Sequence, residues 1–315
     1  MILQKYQMEQ RKPKKQKFNE TVYDLGSGDS FYIEDFFSKN NADRLFNGLM
    51  KEITWESFDI KGSPVPRLIS VQVTKVNNFM VCVIELVLCI LSMYFWPKSS
   101  FVTKFLLCFG IFIISYESKI AIFFSKYLLF GTQIPIYRHP VDYHPETHNW
   151  CNTANEIRKI TENEINQNLN HGVIQLYRDG KDFIGDHSDK TVDIRYKSVI
   201  ANVSLGETRV LVLKSKDKKL IQEIELKHGS LYVLGWNTNR EFTHCIRRNA
   251  DPRANLKPRI SLTFRDIATY DTNGILSGQG SNVKQQDLLN IFHDMNKKTN
   301  DIHFCMDNVY IEQQE

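Results

Sequence analysis

The chain has 315 residues, 42% hydrophobic and 24% charged, which is the usage of a folded globular protein and excludes a disordered or collagen-like chain. Its net charge of +4 sits in residues 1–20, where Lys5, Arg11, Lys12, Lys14, Lys15 and Lys17 face only Glu9 and Glu20. The remaining body is balanced in charge and is therefore not a uniformly basic nucleic-acid platform. Six cysteines (Cys82, Cys89, Cys108, Cys151, Cys245 and Cys305) form no CxxC pair and read as free thiols of a reducing compartment. Residues 1–20 lack the apolar core of a secretory signal, so the expected location is nucleus or cytoplasm.

Residues 1–20 read as a flexible basic arm, either a phosphate contact, a nuclear import signal or a solvated tail. Residues 31–55 read as an amphipathic helical entry, with Phe36, Phe37, Leu45, Phe46 and Leu49 at helical spacing. Residues 21–75 form the N-terminal part of the main domain. Between residues 76 and 130 the composition changes sharply. Residues 79–96 carry a single charge, Glu85, and two further apolar runs follow at 101–115 and 120–130. The first run reaches the length of a bilayer-crossing helix. Three readings stand side by side: a membrane-associated hairpin, a buried helical insertion, or a stretch that is not native coding sequence. Under the first, the protein contacts a membrane through residues 79–130 and is membrane-associated.

From residue 131 the composition is again that of a globular domain. Residues 152–167 predict a helix, with Ile157, Ile160 and Ile165 marking one face. Strand-like runs follow at 172–177, 183–187, 198–205, 208–213, 230–234, 242–246 and 259–265, separated by breaks such as Arg178-Asp179-Gly180. Strands at this spacing predict an antiparallel double sheet or jelly roll. Gly26-Ser27-Gly28 reads as a turn, and residues 281–315 as a tail holding a short amphipathic helix at 285–292.

One constellation carries chemistry. In Gly185-Asp186-His187-Ser188-Asp189, His187 and Asp189 are two apart and point the same way on a strand. His244 lies in a separate strand-like run. Two imidazoles and one carboxylate form the facial set that holds non-haem Fe(II) and leaves positions open. In Arg259-Ile260-Ser261-Leu262-Thr263-Phe264-Arg265, alternation places Arg259, Ser261, Thr263 and Arg265 on one face. Two guanidiniums there suit a dicarboxylic co-substrate such as 2-oxoglutarate.

In these motifs the chain resembles the AlkB-like Fe(II)- and 2-oxoglutarate-dependent dioxygenases, most closely a branch common in fungi. Residues 177–189, the His244 segment and residues 259–265 carry the resemblance. Asn202-Val203-Ser204-Leu205-Gly206, Ser230–Leu234 with Gly235, and Gly278-Gln279-Gly280 add to it. It covers residues 131–280, and residues 23–75 more faintly. It implies an α+β, mainly β fold: a double-stranded β-helix with N-terminal helices and the apolar insertion.

It further implies that His187, Asp189 and His244 are the iron ligands. Arg259 would bind the distal carboxylate of 2-oxoglutarate, Arg265 would lie near its 1-carboxylate end, and Tyr177 would hydrogen-bond it, with Thr263 on the same wall. Gln175 stands where the family has Asn, and Thr191 where repair members carry an acidic residue. Pro66-Arg67 and Ile136-Tyr137-Arg138 resemble the two strands of the nucleotide-recognition lid. The family reaction consumes O₂ and 2-oxoglutarate, hydroxylates an N-alkyl carbon of DNA or RNA, and releases formaldehyde from the product. The protein is expected to be a monomer. A protein or lipid hydroxylase on the same fold, and a membrane-anchored non-catalytic binding module, are the alternatives.

Overall fold

The computed structural model describes residues 14–18, 20–57, 59–60, 63–77, 132–138, 146–249 and 256–283. Two β-sheets face each other. The larger has eight strands in the order Val22–Leu25, Ser30–Ile33, Ser230–Leu234, Ile200–Gly206, Arg259–Arg265, His171–Tyr177, Leu68–Val73 and Thr147–Asn149. The smaller has five, in the order Lys14–Phe18, Leu220–Leu226, Arg209–Ser215, Phe242–Ile246 and Ile184–His187. From His171 onward the chain passes back and forth between the sheets, with the hairpin of Arg209–Ser215 and Leu220–Leu226 at its centre. That path is the jelly roll expected from the strand spacing, in the double-stranded β-helix form that the resemblance implies.

Alternation along each large-sheet strand divides its side chains between two environments. In the strand Arg259–Arg265, Ile260, Leu262 and Phe264 join the core beneath the helices, together with Ile174, Leu176, Val203 and Leu231. The opposite face carries Tyr177, Tyr232 and Leu234, which pack with Leu211, Leu213, Ile224, Leu226, Phe242 and Ile246 from the small sheet. The core is thus split into two layers, and polar residues of the large sheet point into the space between the sheets.

Helices Lys39–Glu52 and Asn152–Ile165 cover the outer face of the large sheet, inserting Ala42, Leu45, Leu49, Ala154 and Ile157. The Glu52 carboxylate accepts from the Thr153 backbone N–H (2.9 Å) and Thr153 Oγ1 (2.6 Å), so the end of one helix caps the start of the next. The buried face of the second helix is Thr153, Ala154, Ile157 and Thr161. Ile160 is exposed, contrary to the expected stripe, because its position turns away from the sheet.

Three further expectations change. The helical entry read over residues 31–55 is helical only from Lys39. Ser30–Ile33 is instead a strand whose alternate residues Ser30 and Tyr32 are buried. Within the arm read as flexible, Lys14–Phe18 forms a strand parallel to Leu220–Leu226. That partner strand was itself absent from the expected set.

The three apolar runs at 79–96, 101–115 and 120–130, and the short helix at 285–292, lie outside the described residues. Among the described residues no helix is long and apolar enough to cross a membrane. The segment's two flanks are adjacent: Val76 pairs with Gln133 and Asn77 with Thr132, antiparallel. Among the described residues Cys151 and Cys245 are free thiols.

Candidate functional site

His187 and His244 are directly opposed across antiparallel strands Ile184–His187 and Phe242–Ile246. Their ring centroids lie 4.2 Å apart. Asp189, two residues beyond its strand, brings Oδ1 to 3.7 Å from His187 Nε2. One ligand atom from each of the three lies within 4.8 Å of the others, close enough for a single ion. His187 Nδ1 donates to the Gly185 carbonyl at 2.8 Å, which fixes the tautomer and leaves Nε2 as a lone-pair donor facing the cluster.

The electrostatics keep this donor set in its ligating form. Burial and then His187 push His244 down to about 3, so the imidazole is neutral. Burial also lowers His187, against the pull of Asp189. Burial alone would raise the Asp189 carboxyl, but Arg265 first, then His244 and His187, hold it well below the usual carboxylate range. Neutral imidazoles and an ionised carboxylate are what a divalent iron requires.

A cavity between the sheets, about 580 Å³ with its solvent-open part included, joins this cluster to Arg259. Gln175, Tyr177, Thr263 and Arg265 line it as well, so every sequence-predicted site residue reaches one space. Tyr177 Oη donates to Gln175 Oε1 at 3.1 Å. Thr263 Oγ1 accepts from Asn202 Nδ2 at 2.9 Å.

Arg259 is 1% exposed. Its Nη2 donates to Ser204 Oγ at 2.7 Å, while Nε and Nη1 have no partner among the described residues. Burial lowers the guanidinium to about 10, against the pull of Tyr177, whose ring centroid lies 5.1 Å away. A buried cation with unfilled donor capacity has the chemistry that suits a carboxylate. The chemistry of the two ends therefore fits a metal at His187, Asp189 and His244 and a dicarboxylate anchored at Arg259.

Sequence reasoning missed several supporting residues. Ser204 shares the load of Arg259, Arg209 binds the carbonyls of Asp179, Asp182 and Arg247, and Asn239 grips the Asp189 backbone. The signal for Ser204 was its alternation with Asn202 on a strand otherwise apolar on its other face. No local signal marks Arg209 or Asn239.

Ile136-Tyr137-Arg138, expected as a lid strand, has another arrangement. The backbone there is irregular, and Arg138 is buried, pairing with Asp193 at 2.6 Å and donating to the Gly280 and Val283 carbonyls. Arg67 is also buried and donates to the Phe183 carbonyl at 3.0 Å.

Residues 129–265 match the model of the 2OG-Fe(II) oxygenase superfamily. The chain is 31% identical over 128 residues to DNA oxidative demethylase ALKBH2 of Bos taurus, covering 38% of this chain and 44% of that protein. The Homo sapiens ALKBH2 is 32% identical over 128 residues, with 38% and 47% covered. Alpha-ketoglutarate-dependent dioxygenase alkB homolog 3 of Bos taurus is 28% identical over 121 residues, with 34% and 41% covered. The matched region spans about half the length of these relatives or less. The region 129–265 thus matches the 2OG-Fe(II) oxygenase superfamily, whose name states two groups, Fe(II) and 2-oxoglutarate, and it is similar in sequence to the AlkB-type relatives above.

Proposed function

We propose that this protein is an Fe(II)- and 2-oxoglutarate-dependent dioxygenase that oxidatively removes alkyl groups from nucleic-acid bases. The observation that carries the reading is the placement of the His187, Asp189 and His244 cluster and the half-satisfied Arg259 guanidinium on one cavity. The activity for which the ALKBH2 relatives are named, DNA oxidative demethylation, supplies the substrate class.

In this reading His187, Asp189 and His244 hold the iron, and Arg259 with Ser204 takes the distal carboxylate of 2-oxoglutarate. Tyr177 and Thr263 bound the co-substrate laterally, and Gln175 orients the Tyr177 hydroxyl. Arg265 holds Asp189 ionised and in place. When bound, the two groups supply the oxidising power drawn from O₂, and the protein supplies position and dryness. Leu211, Leu226, Leu234 and Ile246 line the same cavity and keep water from the reacting centre. Thr191 is 2% exposed and is not among the described residues lining the cavity.

The test measures succinate formed from 2-oxoglutarate with Fe(II), in the presence of N-methylated or unmethylated DNA oligonucleotides. Stimulation by the methylated oligonucleotide alone supports the proposal. Succinate release that no nucleic acid stimulates would favour a protein or lipid hydroxylase instead.

A further inference from the structure

Asp189 does not lie in a regular strand: the ladder ends at His187, so some other contact must fix its backbone. That contact is the Asn239 side chain. Its Oδ1 accepts from the Asp189 N–H at 2.8 Å, and its Nδ2 donates to the Asp189 carbonyl at 2.9 Å. One carboxamide thus replaces a strand partner for this single residue. Asn239 is 3% exposed, so neither bond is shared with bulk water.

Asn239 lies on the six-residue helix Trp236–Glu241, which leads directly into the strand bearing His244. A helix this short is not stable by itself. Its N-terminus is closed by Asp29, 208 residues away in sequence. The Asp29 carboxylate accepts from the Asn237 N–H (2.6 Å), the Thr238 N–H (3.1 Å) and Thr238 Oγ1 (2.5 Å). Asp29 ends the turn joining the strands Val22–Leu25 and Ser30–Ile33. In the same turn Ser27 N–H donates to Thr238 Oγ1 at 2.9 Å and Ser27 Oγ to Glu241 Oε2 at 2.6 Å.

The contact leaves no slack. A Cβ on Gly26, whose φ is +63°, would lie 2.3 Å from Thr238 Cγ2, and one on Gly235 would lie 2.2 Å from Asp29 Cγ. The turn, the helix and the Asp189 backbone are therefore one rigid chain of contacts.

We infer that Asn239 and Asp29 are positioning residues for the metal cluster: Asn239 sets the Asp189 backbone, and Asp29 sets the helix that carries Asn239 and leads to His244. The inference rests on the metal-site reading above. Outer contacts that orient a ligand typically govern about 10–100-fold in metal affinity. Weakening a charged contact at a helix N-terminus removes about 0.3–1 kcal/mol, or about 2–5-fold if fully transmitted.

The test titrates the full chain with Co(II) under anaerobic conditions, following visible absorption, with circular dichroism to establish folding. Asn239→Ala should weaken Co(II) binding about 10–100-fold. Asp29→Asn keeps the shape of the cap without its charge and should weaken binding about 2–5-fold with an altered absorption band. Wild-type titration curves and spectra for both variants, beside a loss of Co(II) binding in Asp189→Ala, would overturn the positioning role and leave the metal site standing. If Asn239→Ala does not fold, Asp29→Asn decides by the same criteria. Unchanged Co(II) binding in Asp189→Ala would remove the metal-site reading, and this inference with it.

Discussion

Arg265 binds a single oxygen of Asp189: its Nε and Nη2 donate to Oδ2 at 3.0 and 2.6 Å. Oδ1 is left facing the two imidazoles, so the arginine decides which carboxylate oxygen is free to meet a metal. The ion pair is buried, each side chain 7% exposed, and the Arg265 guanidinium also lies 4.3 Å from the centre of the Tyr137 ring.

Arg265→Met should accordingly destabilise the metal-free protein by about 3–5 kcal/mol, because it leaves a buried carboxylate without its cation. Urea denaturation in the presence of a chelator measures this. A loss below about 1 kcal/mol would mean that Asp189 draws little from the pair.

Arg259→Lys keeps the charge and loses the planar fork. About tenfold more 2-oxoglutarate should then be needed for half-maximal turnover, equivalent to ~1.4 kcal/mol, with Co(II) affinity unchanged. Superimposable 2-oxoglutarate titrations would move the carboxylate anchor away from Arg259.

Much of the fold and site is legible in the sequence because a strand's period of two exposes its purpose. Arg259, Ser261, Thr263 and Arg265 alternate with Ile260, Leu262 and Phe264, and the structure turns the first set to the cavity and the second to the core. The strand Leu220–Leu226 is hard to see because Gln222 interrupts the apolar set Leu220, Ile224 and Leu226, Ile221 falls in the other set, and a lysine-rich turn precedes it. Asp29 and Asn239 are invisible for another reason: their partners are 208 and 50 residues away, and no local pattern encodes such contacts. Arg138 reads as part of a substrate lid because its sequence neighbours resemble one. Its buried pairing with Asp193 depends on a chain crossing that a linear reading does not contain.

Stability should fall on the acid side partly through His171. Burial, reinforced by Arg265, lowers this histidine from 6.5 to about 3. Between those values the unfolded chain binds a proton that the folded one refuses, so stability rises with pH across the window and is lost as pH falls through it. The contribution approaches about 1.4 kcal/mol per pH unit. His171→Asn should flatten the metal-free stability profile between roughly pH 4.5 and 6 by about that slope. Parallel profiles for wild type and variant would contradict it.

The flanks of the apolar segment meet as antiparallel partners, with Asn77 opposite Thr132. A chain in which Asn-Gly joins Asn77 directly to Thr132 closes that pair with a favoured hairpin turn. It should fold and bind Co(II) with wild-type affinity, since His187, Asp189 and His244 all lie beyond the join. An unfolded product beside a soluble, monomeric full-length chain would show that the segment belongs to the core.

The basic arm offers a separable test. Replacing Lys12, Lys14, Lys15 and Lys17 with Gln preserves chain length for the strand Lys14–Phe18. If these lysines neutralise duplex phosphates, the slope of log affinity against log salt should shrink by about 0.9 for every phosphate that the variant leaves unneutralised. An unchanged slope would assign the arm to the sheet edge or to localisation alone.

Dealkylation of DNA is read by mass spectrometry of an N-methylated DNA oligonucleotide incubated with the full chain, Fe(II), 2-oxoglutarate and O₂. Conversion to the unmethylated oligonucleotide is expected, with formaldehyde and succinate released in equal amounts, and no conversion by Asp189→Ala. An intact methylated oligonucleotide, despite succinate formation by the wild-type chain, would contradict nucleic acid as the substrate.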